Sequence, residues 1–224
     1  EETRQEYQKI ADRQWQVVKE EYFTATGRCA VKTQTGLVLA LKYHLSENEE
    51  LTKQMLQKLL RDNKNKLNTG FVGTPLLCNV LTDHGMTDAA YRLLLNEEYP
   101  GWLHEVKLGA TTVWERWNSL DENGHVSSTG MNSLNHYSYG AVLEWIFRHV
   151  AGIDVTEQGP GGKMMRISPK VDHKLGSASA VYDSASGCYR CGWQIENGDQ
   201  ITVTVTVPFG AKAQVILPYA PDSV

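Results

Sequence analysis

The sequence predicts a mainly helical domain followed by a small antiparallel β-unit. Apolar residues recur at helical spacing through the first two-thirds of the chain. A turn-forming cluster, GPGGK at 159–163, then breaks the pattern. Beyond it the run Ile201–Val207, ITVTVTV, alternates Thr with Ile or Val at strand period. These observations divide the chain into a helical part, 1–154, and a β part, 155–224.

Each element follows from a local signal. Tyr7, Ile10, Ala11, Trp15, Val17, Val18 and Tyr22 predict a helix over about 1–23, and TQTGLVLALKYHL predicts a second over 33–45. Ser46 with Glu49 reads as a capping box opening a helix through Leu51, Met55, Leu56, Leu59 and Leu60. Thr74-Pro75 starts a fourth helix, stopped by Gly85, and Thr87-Asp88 starts a fifth. Residues 98–135 read as an irregular segment, long for a compact domain and rich in Trp, hence functional rather than disordered. A last helix is expected over about 136–150, ended by Gly152. In the tail, 177–182, 189–196, 201–207 and 213–217 read as strands, with Asn197-Gly198 as a hairpin turn.

Composition narrows the function classes. The net charge of −4 argues against nucleic-acid binding, which leaves a basic footprint. No apolar run approaches the roughly 20 residues that span a bilayer, so no membrane partner is expected. The chain begins EETRQEYQKI, with neither an initiator Met nor a signal peptide. Six Trp and ten Tyr suit a ligand with apolar faces and hydroxyls, or simply a core. Cys188 and Cys191 form a lone CxxC without a second ligand pair, and Cys29 and Cys78 read as small core residues. No metal and no cofactor is expected, and Asp121, Glu122 and Asn123 read as a solvated turn. Compartment is not legible.

The chemistry-bearing stretch is GATTVWERW, 109–117, with TGFVGTP (69–75) and MNSLNHYSYG (131–140) at comparable junctions. Glu115 lies between Trp114 and Trp117, and indole walls desolvate a carboxylate, which raises its pKa toward that of a general base. A buried Glu115–Arg116 ion pair holding a loop is the competing reading. His136, Asn132 and Asn135 offer neutral donors and acceptors for sugar hydroxyls, although a His at a helix start is often a satisfied core residue.

Five blocks in order, TQTGLVLAL (33–41), LNTGFVGTPLL (67–77), LTDHGMTDAAYRLLL (81–95), YPGWLHEVKLGATTVWERW (99–117) and MNSLNHYSYGAVLEWIFR (131–148), resemble the catalytic (α/α)6 barrel of the bacterial-type α-L-rhamnosidases. The tail beyond Gly152 is similar to that family's C-terminal β-sandwich. The resemblance implies about half of an (α/α)6 barrel followed by a small antiparallel β-sandwich. It implies inverting hydrolysis of terminal α-L-rhamnosyl linkages in a glycoside or polysaccharide, with Glu115 as general base and His136 on the bound rhamnose. Trp102, Trp114 and Trp117 match aromatic positions near the pocket, and Asn132 and Asn135 lie behind it.

The family's general acid lies in an upstream block, DxxRDxRxGWxGD, which this sequence does not contain. The chain is therefore expected to need the N-terminal half of the same enzyme, to be inactive alone, and to expose an apolar face that favours self-association. A non-catalytic carbohydrate-binding or scaffold segment is the alternative. It is distinguished by whether an acidic residue such as Asp83, Glu105 or Glu144 faces Glu115. Another helical-barrel enzyme, a uronyl hydrolase or lyase, fits the five blocks less well.

Overall fold

The computed structural model describes residues 1–219 except Thr129 and Asp199. The chain divides into two compact units, Glu1–Gly140 and Ala141–Val224. The first carries α1 (Glu2–Tyr22), α2 (Gln34–Lys42), α3 (Glu49–Asp62), α4 (Thr74–Asp83), α5 (Thr87–Leu94), α6 (Trp102–Lys107) and the one-turn α7 (Tyr137–Gly140). The second begins with α8 (Val142–Trp145) and a wide π turn, Ile146–Val150. It continues into β1 (Ile153–Val155), β2 (Met164–Ile167), β3 (Ser177–Ser184), β4 (Gly187–Glu196), β5 (Gln200–Thr206) and β6 (Lys212–Val215).

In the helical unit, α2 packs against α3 and α4, and α4 against α5 and α7. α4 sits at the centre, with Thr74, Leu77, Cys78, Asn79, Val80, Leu81 and Thr82 all buried. Its start lies hard against α2. A Cβ on Gly73 would stand 2.4 Å from the Thr35 hydroxyl, so a side chain there would push the two helix starts apart. Gln34, buried on α2, bonds the 66–68 loop twice, donating to Lys66 O (2.9 Å) and accepting from Asn68 N (2.8 Å). That pair fixes the approach to the 69–75 block.

Several expectations are corrected. Ser46 is not the cap of α3. Asn48 is, accepting from Leu51 N at 3.0 Å, while Ser46 donates to Gly27 O and accepts from Asn48 N. The irregular 98–135 segment contains a helix, α6, too short for periodicity to reveal. The single helix expected over 136–150 is broken. α7 ends at Gly140, a poor helix former, and the Ala151 N–H reaches back five residues to Ile146 O at 2.8 Å, which gives the π geometry. Cys29, in an isolated bridge with Phe23, is buried, as a small core residue should be.

α1 forms where expected but buries no residue. Tyr7, Ile10, Val17 and Tyr22 are exposed, Tyr7 at 68%. It is held by a Trp15 Nε1 bond to His44 O at 3.3 Å and a Lys19–Glu47 ion pair.

The β-unit has two three-stranded sheets, ordered β1-β2-β6 and β3-β4-β5. β1, β2 and a parallel β2–β6 pair join the expected hairpins, so the unit is antiparallel apart from that one pairing. Its core is Ile153, Met165, Ile167, Tyr189 and Cys191, drawn from both sheets. On β5 exposure alternates strictly: the Thr side chains face outward while Ile201, Val203 and Val205 are half-buried. Asn197 and Gly198 both take positive φ, as a hairpin turn requires. Tyr189 directs its hydroxyl proton between Gly162 O (2.7 Å) and Lys212 O (3.2 Å). Trp193 donates to Val150 O at 2.6 Å, which anchors β4 to the π turn.

The strand explains the CxxC pair. Residues three apart on β4 point to opposite faces. Cys191 is buried with its thiol pushed up to about 11 by desolvation, whereas Cys188 lies beside Asp183. Both are free thiols.

Gly152 marks a tight backbone crossing in the unit. Its φ is +83°, and a Cβ there would fall 2.3 Å from Pro169 N. The contact is backbone and cannot swing aside. Gly152→Ala is expected to cost at least about 2 kcal/mol, read as a fall of about 5 °C or more in thermal midpoint. An unchanged midpoint would show that the crossing relaxes freely.

Candidate active site

Two loop segments build the site by bonding to each other. His136 N donates to Val113 O at 2.8 Å, and Glu115 N donates to Ser133 O at 2.9 Å. Thr112 Oγ1 donates to Leu134 O. The residues 112–115 and 133–136 therefore lie side by side, which brings Glu115 and His136 onto one short ladder. The Glu115 side chain joins it, with Oε2 accepting from Ser133 N at 2.6 Å. Glu115 is 7% exposed. A carboxylate held by a backbone N–H at that distance has a fixed direction.

Below the ladder is an aromatic cluster. Trp117 stacks on Tyr139 with ring centroids 4.0 Å apart and 11° between planes, and Trp102 meets Trp117 edge-on at 5.4 Å. Each indole N–H is satisfied: Trp102 donates to Tyr139 O at 3.0 Å and Trp117 to Thr69 O at 3.3 Å. Thr69 in turn shares a 2.8 Å hydroxyl bond with Thr74 at the start of α4. The 69–75, 99–117 and 131–140 blocks thus converge, as their placement at junctions suggested. Trp114, Trp102 and Trp117 are all buried, so in this chain they wall the site and offer little face to a ligand.

His136 is half-buried and lies between two rings, Phe71 at 4.9 Å and 20° and Tyr137 at 5.3 Å and 18°. Its Nδ1 accepts from Ser138 N at 3.3 Å. With Nδ1 as the acceptor, Nε2 is the ring nitrogen able to donate to a hydroxyl. Asn132 ties the loop, donating to Ser119 O and Ser127 O at 3.2 Å each. Asn135 is exposed and donates its backbone N–H to Ser133 Oγ at 3.1 Å.

Of the acidic residues considered as partners for Glu115, Glu105 is bonded to the residue beside it. Glu105 Oε2, on α6, accepts from Trp114 N at 3.3 Å. Glu105 is 3% exposed, and its other carboxyl oxygen is buried without a hydrogen bond. Desolvation pushes its pKa up to about 7, against the lowering effect of the Trp114 N–H. The nearby Tyr139 hydroxyl is raised too, first by burial and then by the Glu105 charge. Asp83 is exposed at the end of α4. Glu144 pairs with Arg148 at 3.0 Å in the second unit.

The Asp121 turn closes on itself. Asp121 Oδ1 accepts from Asn123 N (2.9 Å) and His125 N (2.8 Å), and these bonds hold its pKa below the usual carboxylate value. Among the described residues no group of three or more His, Cys, Asp or Glu is placed to hold a metal ion.

Sequence reasoning missed three contributors. Phe71, Ser133 and Tyr139 lie inside blocks already singled out, but only their partners reveal what they do. Phe71 stacks on His136, Ser133 orients Glu115, and Tyr139 stacks on Trp117.

The profile of the bacterial alpha-L-rhamnosidase 6 hairpin glycosidase domain matches residues 1–150, and that of the bacterial alpha-L-rhamnosidase C-terminal domain matches 152–224. The chain belongs to the bacterial α-L-rhamnosidase family. An alpha-L-rhamnosidase of Formosa agariphila is 41% identical over 188 residues, 83% of this chain and 20% of its own length. One from Alteromonas sp. (strain LOR) is 41% identical over 84% of this chain and 20% of its own. The structure of the Streptomyces avermitilis α-L-rhamnosidase complexed with L-rhamnose superposes with a TM-score of 0.87 at 34% identity. The match covers 95% of this chain and 20% of that one. The Aspergillus terreus α-L-rhamnosidase gives 0.89 at 31% identity, covering 96% and 25%. The chain thus spans about a fifth of the length of these relatives, in the six-hairpin helical domain followed by the C-terminal β domain.

Proposed function

We propose that this chain is the part of an inverting α-L-rhamnosidase that supplies the general base, Glu115, and a sugar-orienting residue, His136. The observation that carries this reading is the bond from Ser133 N to Glu115 Oε2 within a backbone ladder that also holds His136. Inverting glycosidases use two carboxyl groups roughly 6.5–9.5 Å apart. One protonates the leaving oxygen, and the other takes a proton from the water that attacks the anomeric carbon from the opposite face. Glu115 is the second of these. The acid comes from the remaining part of the enzyme. His136 donates from Nε2 to a rhamnose hydroxyl, flanked by Phe71, while Trp102, Trp114 and Trp117 exclude water behind the base. Residues 1–154 belong to the catalytic domain and 155–224 to the β domain, and the substrate is a rhamnose-containing glycoside or polysaccharide.

The exposed apolar residues of α1, Tyr7, Ile10, Trp15, Val17 and Tyr22, fit burial by the rest of the helical domain. An isolated chain leaves them in water, a driving force for self-association.

The test is hydrolysis of an aryl α-L-rhamnoside by this chain and by the longer enzyme, with the product anomer followed by proton NMR. The longer enzyme is expected to release β-L-rhamnose first. This chain alone is expected to show no turnover and to elute as more than a monomer in light-scattering chromatography. Turnover by the chain alone at an ordinary rate of about 1–10³ per second refutes the division of the two carboxyls. Release of the α-anomer refutes inversion.

A further inference from the structure

We propose that Glu105 is a positioning residue for Glu115, its buried carboxyl holding the Trp114 peptide that carries the base. The inference rests on the reading of Glu115 as general base.

Packing alone does not account for a Glu at this position. Glu is almost never fully buried unless paired, and Glu105 is 3% exposed. One carboxyl oxygen has no hydrogen bond. The other accepts from Trp114 N at 3.3 Å. An apolar side chain of similar volume would avoid the desolvation penalty. What the carboxyl adds is an acceptor under the residue next to Glu115.

Glu105 itself is well anchored. Its backbone carbonyl accepts from Leu108 N at 3.1 Å and Ala110 N at 3.0 Å. α6 is tied to α7 by the bond from Trp102 Nε1 to Tyr139 O at 3.0 Å. The 114–115 segment is therefore held from two sides, on adjacent peptides. Ser133 bonds Glu115 through both its backbone N–H and its carbonyl, and Glu105 fixes Trp114 from α6. Removing the second support leaves the Trp114 N–H buried and unsatisfied, so the segment must shift to recover a partner. A misplacement of about 1 Å at a reacting group costs on the order of 10²-fold in rate.

Tyr139 on α7 feels the Glu105 charge, together with Tyr99 before α6 and Arg116 and Glu115 on the loop. Burial keeps Glu105 neutral up to about pH 7, so below that pH it acts as a hydrogen-bond acceptor rather than as a charge. A Gln side chain offers the same carbonyl acceptor.

The experiment compares Glu105→Gln and Glu105→Met in the longer enzyme at pH 6 on an aryl α-L-rhamnoside. Glu105→Met is expected to lower kcat by about 30–100-fold with KM within about threefold. Glu105→Gln is expected to keep kcat within about threefold. Hydrogen exchange of the Trp114 amide, measured in this chain, is expected to speed up in Glu105→Met and not in Glu105→Gln. An unimpaired Glu105→Met enzyme, or a Glu105→Gln enzyme as impaired as Glu105→Met, overturns the proposal. If Glu105→Met does not fold, loss of Trp114 protection in Glu105→Gln overturns it, and retained protection supports it. The reading of Glu115 fails separately: a fully active Glu115→Gln enzyme removes it. An inactive Glu115→Gln enzyme beside an unimpaired Glu105→Met enzyme overturns the positioning role alone.

Discussion

Glu115→Gln in the longer rhamnosidase is expected to lower kcat by about 10³-fold or more, with KM changed by no more than a few-fold. General-base assistance contributes about 10²–10⁴-fold, and a neutral amide cannot take the proton from the attacking water. The amide oxygen can still accept from Ser133 N, so the loop stays in place and the loss falls on chemistry rather than on folding. That separation matters because Glu115 is also a structural acceptor. Glu115→Ala removes both functions and opens space beside the base. Azide, an anion that needs no deprotonation, is expected to restore part of the rate to Glu115→Ala and to yield the β-L-rhamnosyl azide. The measurements are steady-state kinetics and the anomeric configuration of the azide product. A Glu115→Gln enzyme within tenfold of the parent would sink the assignment, and an α-azide would contradict attack from the opposite face.

The second large effect concerns stability and pH. Glu105 is held at about 7 by burial, against about 4.3 for an unperturbed Glu. As pH rises past that lower value the unfolded chain loses its proton while the native chain keeps it. Native structure therefore binds more protons, and stability falls with rising pH between about 4.5 and 7. Below this window the contribution is fully present, and above it the loss is complete. The loss amounts to about 1–3 kcal/mol, the lower end allowing for solvent screening near the loop. Glu105→Gln cannot ionise and is expected to remove this slope. At pH 8 its urea midpoint should exceed that of the parent by a corresponding amount, while at about pH 4, below the window, the two should nearly coincide. Parallel pH dependence in the two proteins would show that Glu105 titrates normally and is not the buried acid described above.

These two carboxylates show how unevenly the site is written in the sequence. Glu115 and His136 are legible as candidates because each lies in a block that resembles the family's, GATTVWERW and MNSLNHYSYG. Glu105 lies in a quoted block as well, yet nothing local separates it from a solvated helix residue. Its character comes from Trp114, nine positions on, and from its burial in the folded unit.

The elements that periodicity determined are those whose burial is one-sided. α3 and α5 each show a helical apolar stripe, and β5 shows a strict two-residue alternation, because each faces a core on one side and water on the other. α2 and α4, buried over most of their length, were legible as apolar runs, α4 with its Thr74-Pro75 start. The turn signals Gly85, Gly152 and Asn197-Gly198 were equally local, since positive φ is a property of one or two residues. Tertiary structure alone decided the rest. The α6 helix is too short to carry a stripe, and β1 and β2 are only three and four residues long. The parallel β2–β6 pairing joins residues nearly 50 apart. The site belongs with this second group. Its ladder between 112–115 and 133–136, the Phe71–His136 stack and the Glu105 bond all depend on segments that meet only after the chain folds, and a hydrogen bond across such a gap leaves no periodic trace in either partner.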